Sequence, residues 1–137
     1  MTQADRIEVA DRYAKLLQPY AKKLSLTHEK PGRYMLMTKA KSFEILVNGK
    51  WQIRKAPFMV AGVVANKSYV SFHLVPVYMF PDLIAACAPE LKKRMQGKGC
   101  FNFQTYDAEA ARGLKALLKA GLDRTKKSPM FKPGTFD

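Results

Sequence analysis

The sequence predicts a two-layer α+β domain, with a mostly antiparallel sheet of five to six strands and N- and C-terminal helices packed on one face. Apolar residues recur at helical spacing near both ends of the chain, and in the middle they alternate with polar residues. Short turn signals separate the alternating segments, which is typical of strands that pair antiparallel. Helices that flank such a strand region collect on one face of the sheet.

The first expected element is an amphipathic helix over residues 3–17. Its inward positions are Ile7, Ala10, Tyr13, Ala14 and Leu17. Thr2 is a suitable N-cap, and Asp5 supplies an acidic partner in the first turn. Pro19 lacks a backbone N–H group, so we expect the helix to break or kink there.

Four short strands should follow, at residues 24–29, 34–38, 43–47 and from residue 51 onward. The first two flank a Pro31-Gly32 turn. Asn48-Gly49 joins the next two and is the strongest short hairpin signal, because both residues tolerate positive φ. Pro57 interrupts the fourth strand, so the chain there should form an edge, a bulge or a change of strand.

Two further strands are expected to form the middle of the sheet. Residues 58–64 are an almost continuous apolar run, as in a buried strand. Residues 69–75 alternate, with Val70, Phe72 and Leu74 on one face and Tyr69, Ser71 and His73 on the other. A turn at Asn66-Lys67 joins the two strands, and we expect them to pair with each other.

The C-terminal half is predicted to be mostly helical. Pro81 should open a helix, Pro89 should split it into two, and Gly97 should end it with a positive φ. The apolar stripe of this helix is Leu83, Ile84, Cys87, Leu91 and Met95. Residues 100–103 should form a strand, and Asp107 should cap a last helix. Its inward residues are Ala111, Leu114, Leu117, Leu118 and Gly121 or Leu122.

The expected organisation is one domain over residues 1–124, followed by a basic tail over residues 125–137 that wraps the surface or is mobile. The N-terminal residues carry too many charges for a signal peptide, and no apolar stretch approaches the ~20 residues that span a bilayer. Cys87 and Cys100 fit no disulfide or CxxC pattern. We therefore expect a cytoplasmic monomer or homodimer with reduced thiols and no membrane segment.

The chain is strongly basic, with 24 Lys and Arg against 11 Asp and Glu and a formal net charge of +13. Such a surplus attracts nucleic acid, acidic proteins, phosphorylated ligands or anionic membranes, or serves solubility alone. Aromatic residues beside cations would favour nucleic acid. Two modest clusters of this kind are Trp51 with Lys50, Arg54 and Lys55, and Tyr69 with Lys67. Solvated faces of the fold are the simpler interpretation of both.

A candidate binding site for an anion combines one face of the sheet with a basic, glycine-containing loop. Gly97 and Gly99 would let the backbone approach a ligand beside several cations. A P-loop would place its glycines between a strand and a following helix, whereas here they are expected after a helix and before a strand. The candidate residues are Tyr69, Ser71, His73, Tyr78, Lys93, Arg94 and Lys98. A surface histidine on the sheet and a helix-ending glycine are the simpler alternatives.

Catalytic and metal-binding patterns are not found in the sequence. No nucleophile, base and orienting group can be named together, and His28, His73, Cys87 and Cys100 have no ligand spacing. Carboxylates do line one side of the first helix, at Asp5, Glu8 and Asp11. Arg6, Arg12 and Lys15 lie between them, which favours paired surface charges. The sequence thus predicts a protein that is not an enzyme and uses no cofactor.

Residues 68–103 carry a resemblance to a known group of proteins. The segment Ser-Tyr-Val-Ser-Phe-His-Leu-Val-Pro-Val-Tyr-Met, followed by Pro-Glu-Leu-Lys-Lys-Arg-Met-Gln-Gly-Lys-Gly-Cys-Phe-Asn-Phe, resembles an uncharacterised bacterial family of the YdhG-like, frataxin-like group. The resemblance implies a small α+β domain with a sheet flanked by terminal helices, and an intracellular iron chaperone in some members. Frataxins bind iron through an acidic helix ridge, and this chain departs from that pattern, so we transfer no iron ligand to it.

Three functional hypotheses follow. The first is a non-catalytic binding or adaptor domain for an anionic small molecule or protein partner. The second is sequence-independent binding of nucleic acid, which should weaken steeply with salt. The third, implied by the resemblance, is a frataxin-like intracellular iron chaperone.

Overall fold

The structure, a computed structural model that describes residues 2–137, confirms the predicted α+β class. Its helices are α1 (Gln3–Ala14), α2 (Val75–Met79), α3 (Pro89–Lys92) and α4 (Ala108–Lys127), with 3₁₀ turns at Lys15–Tyr20 and Pro81–Ala86. Its strands are β1 (Ser25–Lys30), β2 (Arg33–Met37), β3 (Phe43–Val47), β4 (Lys50–Arg54), β5 (Met59–Ala65), β6 (Val70–Leu74), β7 (Met95–Gln96) and β8 (Cys100–Phe103).

Six strands form one antiparallel sheet in the order β1-β2-β5-β6-β8-β7, and β3 and β4 form a separate two-stranded sheet. β5 and β6 lie at the centre of the large sheet, as the sequence predicts. The membership of the sheet differs from expectation, because the β3–β4 hairpin lies apart and β7 takes one edge. No helix of the described residues is both long and apolar enough to span a membrane.

The β3–β4 hairpin is inserted in the sequence between β2 and β5, although these two strands pair directly with each other in the large sheet. Its turn is the predicted one, with φ of 51° at Asn48 and 77° at Gly49. β3 packs on the core through Phe43, whose ring meets that of Phe58 edge-on at 5.3 Å. β4 is exposed along its whole length. Pro57 marks a change of strand, since β4 and β5 belong to different sheets.

One hydrophobic core joins α1, the inner face of the large sheet and α4. The inward residues of β6 are fully buried, as the alternation predicts: Val70, Phe72 and Leu74. Tyr13 of α1 lies at the junction, with its ring centroid 4.4 Å from that of Phe103. Its hydroxyl oxygen accepts a hydrogen bond of 3.0 Å from the backbone N–H of Asp107, which precedes α4. The start of the last helix is thereby fixed against the first.

The capping residues of α1 behave as predicted, but the helix ends earlier. The Asp5 N–H donates to Thr2 Oγ1 at 3.1 Å, and the Thr2 N–H donates to Asp5 Oδ2 at 2.8 Å. The α-helix ends at Ala14, three residues before the predicted end, and the chain tightens into the 3₁₀ turn Lys15–Tyr20. Pro19 explains the change. It has no N–H to donate to the carbonyl four residues earlier, and in an α-helix its ring would collide with that carbonyl.

The structure differs most from the prediction in the segment between β6 and β8. A helix, α2, begins directly after β6, and the helix expected from Pro81 is a 3₁₀ turn followed by the four-residue α3. In the predicted stripe only Leu91 is buried, and Met95 belongs to β7. Gly97 has the expected positive φ of 67°. It lies in the turn between β7 and β8, however, because pairing with β8 draws residues 95–96 into the sheet.

The last residues take part in the core. α4 is capped by Asp107, whose Oδ1 accepts the N–H of Glu109 at 2.9 Å, and it continues to Lys127. Thr125, at the predicted start of the tail, is buried inside this helix. Phe131 and Phe136 are buried too, with ring centroids 5.1 and 5.4 Å from that of Phe58. The polypeptide after residue 124 therefore contributes apolar packing beneath the β3–β4 hairpin.

Candidate functional site

The face of the large sheet opposite α1 carries polar side chains at its centre. Ser71 and His73 point to this face, because their neighbours along β6 point into the core. His73 lies directly opposite Gly62 on β5 and Cys100 on β8. A Cβ atom at Gly62 would lie 2.8 Å from the Met35 sulfur, so the thioether occupies the space that a larger residue would fill.

A concavity opens where β6 passes into α2, and we call it the sheet-end concavity. Its volume is about 250 Å³. It is lined by Met59, His73, Leu74, Val75, Tyr78, Gln96, Lys98, Gly99 and Cys100. Three of the seven residues predicted from the sequence, His73, Tyr78 and Lys98, therefore meet at one depression from three different elements.

Gly99 allows this convergence. The Leu74 N–H donates to the Gly99 carbonyl at 2.8 Å, which holds the β7–β8 turn against the end of β6. A Cβ atom at Gly99 would lie 3.0 Å from the Leu74 carbonyl oxygen and 3.2 Å from Tyr78 Cβ. Only a residue without a side chain lets the turn lie this close to α2, so Lys98 is brought beside Tyr78.

Two effects disfavour the charged form of the His73 imidazole. Burial, and then the positive charge of Arg33, lower the pKa of His73 below its ordinary value. Its Nε2 lies 3.2 Å from Ser71 Oγ, and the Asn66 amide donates to the same hydroxyl at 3.1 Å. Lys98, which is exposed, supplies the lysine ammonium group in the lining of the sheet-end concavity.

The thiol of Cys100 lies beside this imidazole without being activated. Directly opposed residues of antiparallel strands have Cβ atoms about 4.5–5.5 Å apart. Burial raises the pKa of the Cys100 thiol, and its S–H donates to Asn102 Oδ1 at 3.4 Å. A protonated thiol is a weak nucleophile. We therefore interpret Cys100 as a half-buried lining residue of the concavity.

The other predicted site residues lie elsewhere. Arg94 faces the helical layer, where its Nη2 lies 3.4 Å from Asp107 Oδ2 and its guanidinium lies 5.3 Å from the Phe103 ring centroid. Lys93 pairs with Glu90 at 3.4 Å. Tyr69 is exposed before β6, and Ser71 touches the site through His73 alone. The reversal of the chain at Gly97 separates Arg94 from Lys98.

Sequence reasoning missed Gln96 and Cys100 as lining residues. The alternation of residues 100–103 places Cys100 and Asn102 on the opposite side from Phe101 and Phe103, and this signal was available. The pairing of Cys100 with His73 depends on the register between β6 and β8, for which the sequence has no local signal. Gln96 reaches the site only through β7, a two-residue strand.

Two of the three carboxylates noted in α1 form hydrogen bonds within the fold. Asp5 belongs to the capping box, and Asp11 accepts a hydrogen bond of 2.7 Å from the Tyr34 hydroxyl. Among residues 2–137, no group of three or more histidines, cysteines and carboxylates is placed to hold a metal ion. Glu8 and Arg12 share a surface depression, so a cation there would meet a guanidinium.

Comparison of the chain with protein-family models, with curated proteins and with solved structures found no match in any of the three. The resemblance of residues 68–103 to the YdhG-like, frataxin-like group therefore stays a prediction.

Proposed function

We propose that this protein is a non-catalytic binding domain that holds a small anion, or an anionic group of a partner, in the sheet-end concavity. The observation that supports this function is the convergence of His73, Tyr78 and Lys98 on one depression. Lys98 would supply the charge, and Tyr78 and Gln96 would supply hydrogen-bond donors.

The shape of the concavity favours a small ligand with an apolar part. Its volume of about 250 Å³ lies below the ≈ 300–1,000 Å³ of typical ligand pockets. Met59, Leu74 and Val75 form its apolar wall. A short carboxylate or a small monophosphate fits this combination of one exposed cation and an apolar wall, whereas a nucleotide would extend beyond the concavity.

A binding role is favoured over catalysis by the state of the polar groups. Ser71 is only 2% exposed, so its hydroxyl is closed to a substrate although it contacts His73. The charged group that influences His73 is Arg33, which opposes imidazolium formation instead of stabilising it as a carboxylate would. With a neutral thiol at Cys100, the site has no activated nucleophile.

The direct test compares two lysines of the same segment. Calorimetric titration with acetate, butyrate and inorganic phosphate should show binding by the wild type that Lys98→Gln weakens at least tenfold. Lys93→Gln removes the same charge five residues earlier, where Lys93 pairs with Glu90 outside the concavity, and should leave binding unchanged. Equal loss in both variants, or no loss in Lys98→Gln, would reject the proposal.

The two cysteines offer a second test within one molecule. Cys100 lines the sheet-end concavity, whereas Cys87 lines a different depression between the 3₁₀ turn Pro81–Ala86 and α4. Alkylation by iodoacetamide, followed by peptide mass spectrometry, should be slowed at Cys100 by the bound anion and unchanged at Cys87. Protection of both thiols, or of Cys87 alone, would place the ligand elsewhere.

A further inference from the structure

A row of cations runs along the exposed side of α4. Arg112, Lys115, Lys119 and Lys126 recur at helical spacing along one exposed side of this helix, beside its buried residues. At 1.5 Å per residue the row is about 21 Å long. All four side chains are exposed.

The row continues onto the end of the first helical segment through Tyr20. This residue lines one depression of about 430 Å³ with Arg112, Lys115 and Lys119. It also lines a second depression of about 170 Å³ with Lys126, Lys22 and Lys23. We call these seven residues, six cations around one tyrosine, the α4 basic face.

The fold itself does not use most of these charges. Within residues 2–137, Arg112 alone of the six forms a salt bridge, with Glu109 at 3.6 Å, and both side chains are about 70% exposed. Asp123 is the second carboxylate at this face, close enough to Tyr20 to act on its hydroxyl. Like charges four residues apart, as at Lys115 and Lys119, destabilise a helix. A polyanion bound at this face would relieve that repulsion.

We propose that the α4 basic face binds the sugar–phosphate backbone of nucleic acid without sequence preference. Each DNA strand carries one negative charge per ≈ 3.4 Å, so a row of about 21 Å spans roughly six phosphates. A helix that inserts into a membrane surface buries apolar side chains beside its cations. Among residues 2–137, the large exposed apolar side chains are those of Trp51, Ile53, Tyr69 and Tyr78, and all four lie outside this face. The proposal does not rest on the sheet-end concavity.

The test is the salt dependence of binding to a labelled random-sequence DNA duplex, measured by fluorescence anisotropy. The wild type should bind at about 50 mM salt, and its log K should fall with log salt by about 0.9 for each phosphate contacted. The triple variant Lys115→Gln/Lys119→Gln/Lys126→Gln should reduce that slope by about 2.7, which is three contacts at about 0.9 each. Its affinity at low salt should fall more than tenfold.

A matched control separates the face from the net charge. The variant Lys50→Gln/Arg54→Gln/Lys55→Gln removes two charges from β4 and a third from the residue that follows it, and it leaves α4 intact. It should retain the wild-type slope. An equal loss in both variants would show that net charge alone governs binding, and a greater loss in the β4 variant would move the site to the hairpin. Either result overturns the proposal, as does the absence of wild-type binding at low salt.

Vesicles of phosphatidylserine and phosphatidylcholine test the competing occupant. We expect the wild type to bind the DNA duplex more tightly than these vesicles at equal salt. Vesicle binding that is lost in the α4 variant, together with weak DNA binding, would assign the face to a membrane and contradict the inference. Thermal melting of both triple variants should show cooperative unfolding at or slightly above the wild-type temperature, because the substituted side chains are exposed and the α4 variant loses the repulsion between Lys115 and Lys119.

Discussion

At the scale of single residues, Gly99 decides whether the sheet-end concavity exists. Gly99→Ala would place a methyl group 3.0 Å from the Leu74 carbonyl oxygen and 3.2 Å from Tyr78 Cβ. We expect a loss of about 1–3 kcal/mol in the free energy of unfolding. We also expect weaker anion binding, because Lys98 would move away from Tyr78. Urea denaturation and calorimetric titration measure the two effects.

Gly97 provides the control for this substitution. A Cβ at Gly97 would meet no atom within 4 Å, but its φ of 67° is unfavourable for alanine. Gly97→Ala should therefore reduce stability through the backbone, by about 1–2 kcal/mol, without separating Tyr78 from Lys98. Comparable loss of anion binding in the two variants would contradict the role given to Gly99.

The ionisation of His73 is a second prediction at this scale. Burial and Arg33 lower its pKa in the folded protein, so the unfolded chain takes up a proton first as the pH falls. The stability of the wild type should therefore decrease as the pH falls through 6.5, the ordinary histidine value. His73→Gln should lose this dependence, which chemical denaturation across the pH range would measure.

A bound anion should change the same ionisation. A negative charge beside His73 favours the imidazolium, so ligand binding should raise the pKa of His73, as followed by NMR. By linkage, anion binding should strengthen as the pH falls toward that pKa. A ligand that binds without moving the His73 titration would lie outside the sheet-end concavity.

At the scale of elements, Tyr13 connects α1 with the start of α4. Its ring is fully buried, and burial raises the pKa of Tyr13 to about 12. Tyr13→Phe keeps the ring but removes the oxygen that accepts the Asp107 N–H. We expect the free energy of unfolding to fall by about 1 kcal/mol, the net contribution of a typical hydrogen bond, because the Asp107 N–H is partly buried. Tyr106→Phe, next to the same ring but with a half-buried side chain, should cost less.

The elements predicted correctly are those with local signals. Thr2 and Asp107 cap helices through their own side chains, Asn48-Gly49 closes a hairpin, and the alternation at Val70, Phe72 and Leu74 fixes the inner face of β6. α2 was missed because no side chain caps its N-terminus, and β7 was missed because it depends on a partner strand. β7 is two residues long and exists only through pairing with β8.

The residues of the candidate site also differ in whether local sequence could predict their proximity. His73 and Tyr78 are five residues apart, on a strand and the helix that follows it, so their proximity is a local property. Lys98 joins them because the β7–β8 turn is bonded to the end of β6. The sequence placed Arg94 with Lys98 from their nearness along the chain. In the structure, β7 lies between the two residues, and Arg94 faces Asp107 instead of the concavity. No local sequence pattern predicts this separation of Arg94 from Lys98.

At the scale of the whole molecule, the C-terminal segment completes the core. Phe131 and Phe136 pack edge-on against each other and against Phe58, and Phe43 of the hairpin contacts Phe58 and Phe131. Phe136→Ala should lower the free energy of unfolding by about 3 kcal/mol, since it leaves a cavity in this cluster. Asp137→Asn, at an exposed neighbour, should have no effect. Unchanged urea stability of Phe136→Ala would show that the segment is a free tail.

The exposed strand β4 has one edge that no other strand of the described residues covers. Because Val47 and Lys50 close the hairpin as a bonded pair, the amide and carbonyl groups of Trp51 and Ile53 point away from β3, where the described residues contain no further strand. Two copies aligned through these groups would bring their lysines and arginines together, so we expect charge repulsion to oppose such pairing in dilute buffer. At about 1 M salt the Debye length is about 3 Å, so this repulsion should be largely screened. We therefore expect any tendency of the protein to self-associate through β4 to increase with salt, which light scattering across a salt series would measure.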